Sequence, residues 1–184
     1  MNRPRALLMR ADECHLLVVD VQEKLLPKMT DAAPVSENLG RLVAAARRLN
    51  VAMTFSEQYP KGLGSTVPVL AALLSEDERF EKTSFSCFRN GALSDRLRVV
   101  KQLVIAGLEA HVCVLQTALD AVAMAIPVFV VGDAVSSRVR ESKSLAVDRL
   151  RQEGVRVVTT EMVLFEWLEA AGTDMFRDIS KLVK

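Results

Sequence analysis

A chain of 184 residues with 50% hydrophobic and 26% charged side chains can bury one ordinary domain, which excludes a disordered or fibrous protein. Its 24 basic and 23 acidic residues leave a net charge of +1, so no basic field concentrates nucleic acid or acidic lipid and neither partner is expected. Three widely spaced cysteines make neither a disulfide framework nor a zinc knuckle, and no apolar run reaches the roughly 18 residues of a membrane span. The N-terminal segment with Arg3, Arg5 and Arg10 holds too short an apolar run for a signal peptide, so the chain reads as cytoplasmic.

In chain order, a first strand is predicted at 16–21, where Leu16 to Val19 is continuously apolar and ends on Asp20. A helix follows at 35–49, with Leu39, Leu42, Val43, Ala46 and Leu49 on one stripe and Asn50 as its stop. Strands at 51–56 and 81–84 flank a helix at 69–75, and a helix at 94–100 leads to a fourth strand at 103–108. A helix at 112–125, a fifth strand at 127–131 opened by Pro127, and a helix at 142–153 ended by Gly154 come next. A sixth strand at 155–159 and a helix at 160–171 complete the pattern. Alternating strands and helices, with strands apolar on both faces, imply an α/β domain spanning 1–184. Its expected form is a three-layer, doubly wound, Rossmann-like sheet of six mainly parallel strands with helices on both faces.

Ligands of such sheets bind outside the carboxyl ends of the strands, so chemistry is sought there. Cys113, predicted in the first turn of the helix at 112–125, is the candidate nucleophile. The positive end of that helix would favour its thiolate, and the turn's free N–H groups could receive an oxyanion. Asp20, at the end of the first strand, can take up and return a proton, and Lys82, at the third, supplies a cation. Gln22 either orients Asp20 or hydrogen-bonds loop backbone. Tyr59, Phe85 and Phe88 are candidate walls of a substrate pocket, whereas Cys14 and Cys87 read as packing residues. A dinucleotide site is disfavoured, because Asp20-Val21-Gln22-Glu23 stands where a glycine-rich turn would be needed. His15 and His111, the only two histidines, form no metal-ligand cluster.

Three stretches together carry a family likeness: Val18-Val19-Asp20-Val21-Gln22, the segment holding Lys82, and Gly107-Leu108-Glu109-Ala110-His111-Val112-Cys113-Val114. They resemble the isochorismatase-like cysteine hydrolases. The resemblance implies an isochorismatase-like fold, a triad of Asp20, Lys82 and Cys113, a non-proline cis bond at Leu108–Glu109, and an oxyanion hole from the N–H groups of Glu109 and Cys113. It also implies a small-molecule substrate, no cofactor, and a homo-oligomer, dimer or tetramer. The stretch from Ser56 to Gly64 departs from the metal motif of nicotinamidases and is similar to the isochorismatase domain-containing branch, so no metal is expected. A retained cysteine points to cleavage of an amide or related acyl bond. Vinyl-ether hydrolysis and a catalytically silent interaction protein remain as alternatives.

Overall fold

The computed structural model describes residues 8–183; Arg3 and Arg5 lie outside the described residues. Six strands, β1 (Cys14–Val19), β2 (Ala52–Gln58), β3 (Arg79–Lys82), β4 (Gln102–Leu108), β5 (Val128–Ser136) and β6 (Arg156–Val158), form one sheet in the order β3-β2-β1-β4-β5-β6. Every pairing between them is parallel. The central strands β1 and β4 are buried along their whole length, as their unbroken apolar runs require.

The helices are α1 (Ala32–Arg48), α2 (Pro60–Leu63), α3 (Pro68–Ala71), α4 (Gly91–Leu97), α5 (Leu115–Ala123), α6 (Arg140–Gln152), α7 (Thr160–Leu168) and α8 (Asp174–Ile179). On one face of the sheet, α1 and α7 pack through Leu39, Leu42 and Trp167 against Leu16, Val18 and Phe55. On the other, α4, α5 and α6 pack through Leu97, Ala118 and Leu150 against Leu17, Leu103 and Ile105. The chain winds outward from β1 to β3, returns beside β1 as β4, and winds outward again. The order therefore reverses between β1 and β4, and the crevice of a doubly wound sheet lies at their carboxyl ends.

Asn50 (φ 56°) and Gly154 (φ 83°) take the left-handed conformation just after α1 and α6, as expected of helix stops. Several expected boundaries move. The helix expected at 69–75 is a single turn, α3, because Pro68 starts it and its segment has little apolar periodicity to lay on the sheet. The third strand sits two residues earlier than expected, and β5 continues through Gly132 and Asp133 to Ser136. The helix expected at 112–125 begins as a π-helical turn, Ala110–Val114, before α5. Helix α8 was not foreseen; Thr173 caps it, its Oγ1 accepting from Phe176 N at 3.0 Å.

His15 on β1 is buried, with Nε2 2.8 Å from Thr54 Oγ1. Burial, aided by the Arg96 charge, pushes its pKa down from 6.5 to about 4. The unfolded chain thus binds this proton first on acidification. The contribution of neutral His15 is complete above pH 6.5 and is lost as pH falls toward 4, by about 3 kcal/mol at most. In denaturant titrations across that window, His15→Gln should lose markedly less stability than the wild type; parallel losses would show that His15 is not the group responsible.

Candidate active site

The chain leaves β1 at Val19 and turns at Asp20, whose φ is 52° and whose N–H donates to Ser56 O at 3.0 Å. This turn holds the Asp20 carboxylate in the sheet's end, with no exposed surface. Oδ1 accepts from Ser56 Oγ at 2.6 Å and Oδ2 from Lys82 Nζ at 2.7 Å. Lys82, the last residue of β3, is equally enclosed. Its ammonium also donates to Gln58 Oε1 at 2.7 Å and lies 3.2 Å from Phe85 O and 3.3 Å from Ser84 O. Burial alone would lower the lysine pKa, but the charge of Asp20, with Cys113 and Cys87 nearby, outweighs it and raises the pKa. The lysine therefore stays a cation.

Cys113 comes from the other side of the crevice. Strand β4 ends at Leu108, the Leu108–Glu109 bond is cis, and the π-helical turn carries Cys113. Gly107 makes the approach possible. Its φ is +112°, and a Cβ there would lie 2.1 Å from Val19 O, so only glycine lets β4 and β1 close up beneath the site. Cys113 is 6% exposed, and its Sγ lies 3.9 Å from Gln58 Oε1. Lys82, Asp20 and Cys113 thus converge at the ends of β3, β1 and β4, with Gln58 of β2 among them.

The resting thiol is not activated as its place near a helix start suggested. Burial pushes its pKa well up, the Asp20 carboxylate adds to this, and Lys82 opposes without prevailing. The physical reason lies in the turn. The N–H groups of Val112 and Val114 both donate to Glu109 O, at 3.1 and 3.2 Å, so these amides are already engaged, and the sulfur faces a carboxylate in a dry interior.

The remaining candidates separate. Gln22 is buried and spends its amide on backbone: Oε1 accepts from Gln58 N, and Nε2 donates to Gln58 O and Gly64 O. Tyr59 and Phe85 are exposed, whereas Phe88 packs in the core cluster that contains Cys87 and Cys113. Glu109 turns its carboxylate to Arg138, accepting from Nε at 2.9 Å and from the backbone N at 3.1 Å. His111 Nδ1 lies 2.9 Å from Ser137 Oγ. A cleft of about 360 Å³ opens beside Lys82, lined by Tyr59, Lys61, Glu81, Thr83 and Asn90. Ser56 and Gln58 are the site residues that sequence reasoning missed. Their position at the end of β2 was the available signal. Among the described residues, no three His, Cys, Asp or Glu side chains gather as metal ligands.

Residues 14–162 match the isochorismatase domain pattern. The chain belongs to the isochorismatase domain family. Isochorismatase domain-containing protein 2 of Danio rerio is 39% identical over 170 residues, covering 91% of this chain and 85% of that protein. Among solved structures, the MAR1 ribonuclease of Caenorhabditis elegans is similar, with a TM-score of 0.90, 35% identity, and coverage of 96% of this chain and 92% of that one. The Escherichia coli YcaC gene product, described as an octameric hydrolase of unknown specificity, superposes with a TM-score of 0.88 at 25% identity, covering 98% of this chain and 96% of that one. The all-parallel six-stranded sheet with helices around it is thus an isochorismatase-like fold.

Two outcomes follow from this geometry. Asp20→Asn removes the carboxylate that holds the thiol protonated, so alkylation of Cys113 at pH 8, assigned by mass spectrometry, should accelerate on the order of tenfold or more. An unchanged rate would refute the electrostatic account. Gly107→Ala should destabilise the fold by about 3 kcal/mol or more, because backbone of β1 occupies the space for its Cβ. A melting temperature within a degree or two of wild type would contradict that reading.

Proposed function

We propose that the protein is a cysteine hydrolase acting on a small amide or related acyl compound. The observation that carries this reading is the convergence of a buried carboxylate, a buried ammonium and a thiol from three strand ends. Cys113 is the nucleophile, Asp20 the acid and base, and Lys82 the cation. The thiol proton passes to Asp20 as sulfur attacks the carbonyl carbon. The N–H groups of Glu109 and Cys113 receive the oxyanion. Collapse breaks the C–N bond, and Asp20 returns the proton to the leaving amine, leaving a thioester on Cys113. Asp20 then takes a proton from water as its oxygen attacks the thioester; collapse breaks the C–S bond, Asp20 returns the proton to the departing sulfur, and the acid and the free thiol are released.

The high thiol pKa fits this sequence, because attack is coupled to proton transfer onto the adjacent carboxylate and a standing thiolate is not required. Lys82, in contact with Asp20, balances the charge that develops during attack. No step calls for a metal or cofactor. Exposed Tyr59 and Phe85 are the pocket walls this reading assigns, and the octameric state of the YcaC neighbour supports a homo-oligomer. Nucleic acid fits the residues less well. His15 lies near the amino end of β1 and His111 beyond the carboxyl end of β4, so the two cannot act as an acid-base pair on one phosphate.

The test is hydrolysis of a panel of small primary amides and activated esters, with intact-mass detection of the acyl-enzyme. Cys113→Ala should lower turnover about a thousandfold or more and abolish the acyl adduct. Asp20→Asn should retain acylation by activated esters, whose leaving groups need no proton, while losing amide turnover. Full activity in Cys113→Ala would defeat the proposal.

A further inference from the structure

Gln58 stands between the cation and the nucleophile, and none of the chemistry above assigns it a task. It ends β2 and pairs in register with Lys82, so both side chains leave the sheet at the same level. Its backbone is clamped by the amide of Gln22, which accepts from its N–H and donates to its carbonyl. Its own amide is also fixed: Nε2 donates to Thr83 O at 2.7 Å, and Oε1 accepts from Lys82 Nζ at 2.7 Å. The orientation follows from chemistry, since a flipped amide would set NH₂ against an ammonium.

An ammonium has three N–H groups. At Lys82 one goes to Asp20 and one to Gln58, and the third is left for the carbonyls of Ser84 and Phe85. None remains for sulfur. The acceptor that occupies the second donor is also the group 3.9 Å from Cys113 Sγ, and it presents its negative end to that sulfur. Both effects keep the proton on the thiol.

We propose that Gln58 is a positioning residue that holds the Lys82 ammonium toward Asp20 and withholds it from Cys113 until substrate is bound. This rests on the reading of Asp20, Lys82 and Cys113 as a nucleophilic site. When Oε1 leaves Nζ, a donor becomes free to reach sulfur, and the cation then stabilises the thiolate by contact as well as by charge. The groups facing the sulfur are Asp20, Lys82 and Cys87, and of these only Lys82 is held by Gln58.

The experiment measures the rate of Cys113 alkylation against pH, which requires no substrate. Gln58→Leu should raise the rate at pH 7 by about threefold or more, with the profile moved to lower pH. Gln58→Glu, which keeps the acceptor on Nζ, should react no faster than wild type. The gain should vanish when Gln58→Leu is combined with Lys82→Met, because it acts through the lysine. Should Gln58→Leu fail to fold, as melting curves would show, Gln58→Met preserves the shape without the acceptor. No gain in either apolar variant, or a gain that persists without Lys82, overturns the inference. Failure of the underlying hydrolase reading looks different: alkylation that Asp20→Asn leaves unchanged, together with hydrolysis that survives Cys113→Ala.

Discussion

The ion pair between Lys82 and Asp20, closed off from solvent on both sides, is the constraint on which the rest of the site depends. Removing two such charges from water costs several kcal/mol per ion, and mutual attraction offsets this only when the other hydrogen-bonding positions are filled. Here Ser56 fills the second oxygen of Asp20, while Gln58 and two backbone carbonyls complete the lysine. All of these groups come from the ends of β1, β2 and β3 or the loop just beyond β3. The pair therefore demands a fixed register across three strands, with Val19 beside Ser56 and Gln58 beside Lys82. A slip of one residue would turn Lys82 to the other face of the sheet and leave Asp20 buried without its cation.

The second half of the site is set by backbone. Gly107 lets β4 close on β1, and the chain then reverses into the π-helical turn that carries Cys113 to the pair. A carboxylate and an ammonium in contact nearly cancel at a distance, so the environment of a third group nearby is decided by burial and by which of the two charges acts on it more strongly. Both act against the thiolate of Cys113. On the proposed function, reactivity is held in a carboxylate that lies against its cation and accepts the thiol proton only on attack. Such a resting thiol also resists adventitious oxidation, because the thiolate is the form that oxidants attack.

The layer order was legible because continuous apolar runs such as Leu16 to Val19 and Leu103 to Leu108 can be buried only between two layers of helices. The strand-end rule then brought Asp20 and Cys113 into view, since each follows such a run, whereas Lys82 stands in the polar segment 79–84 and was singled out chiefly by the family likeness. Boundaries were less legible where a short segment lacks periodicity, as in α3, or where polar residues sit inside an element, as Gly132 and Asp133 do in β5. Asp133 escapes detection because its carboxylate is spent on Thr160 N and Oγ1, at 2.8 and 2.9 Å, an arrangement that joins β5 to the start of α7. The state of the thiol was misjudged for a related reason. Position in sequence shows that a helix follows, but not that its first amides are already bonded to Glu109 O. Gln58 and Ser56 were missed because their importance lies in cross-strand neighbours, which a one-dimensional pattern does not display.

The stretch from Ser56 to Thr66 shows how the same residues can support a loop or a ligand but not both at once. Glu57, almost fully buried, accepts from the N–H and the hydroxyl of Thr66, both at 2.7 Å, and faces Arg79 at 3.8 Å. Gln58 is held by Lys82 and Thr83, and Gln22 ties Gln58 to Gly64. The ring of Tyr59 lies over Gly62, where a Cβ would come within 2.6 Å of it. The side chains of Glu57 and Gln58 are thus engaged in strapping the loop down. Freeing one would loosen the wall of the site. A rigid loop in this place keeps Lys82 turned toward Asp20 in the resting site. Chemistry at the proposed site is then carried by protons moving between Cys113 and Asp20, beside a lysine that Gln58 holds toward the carboxylate at rest.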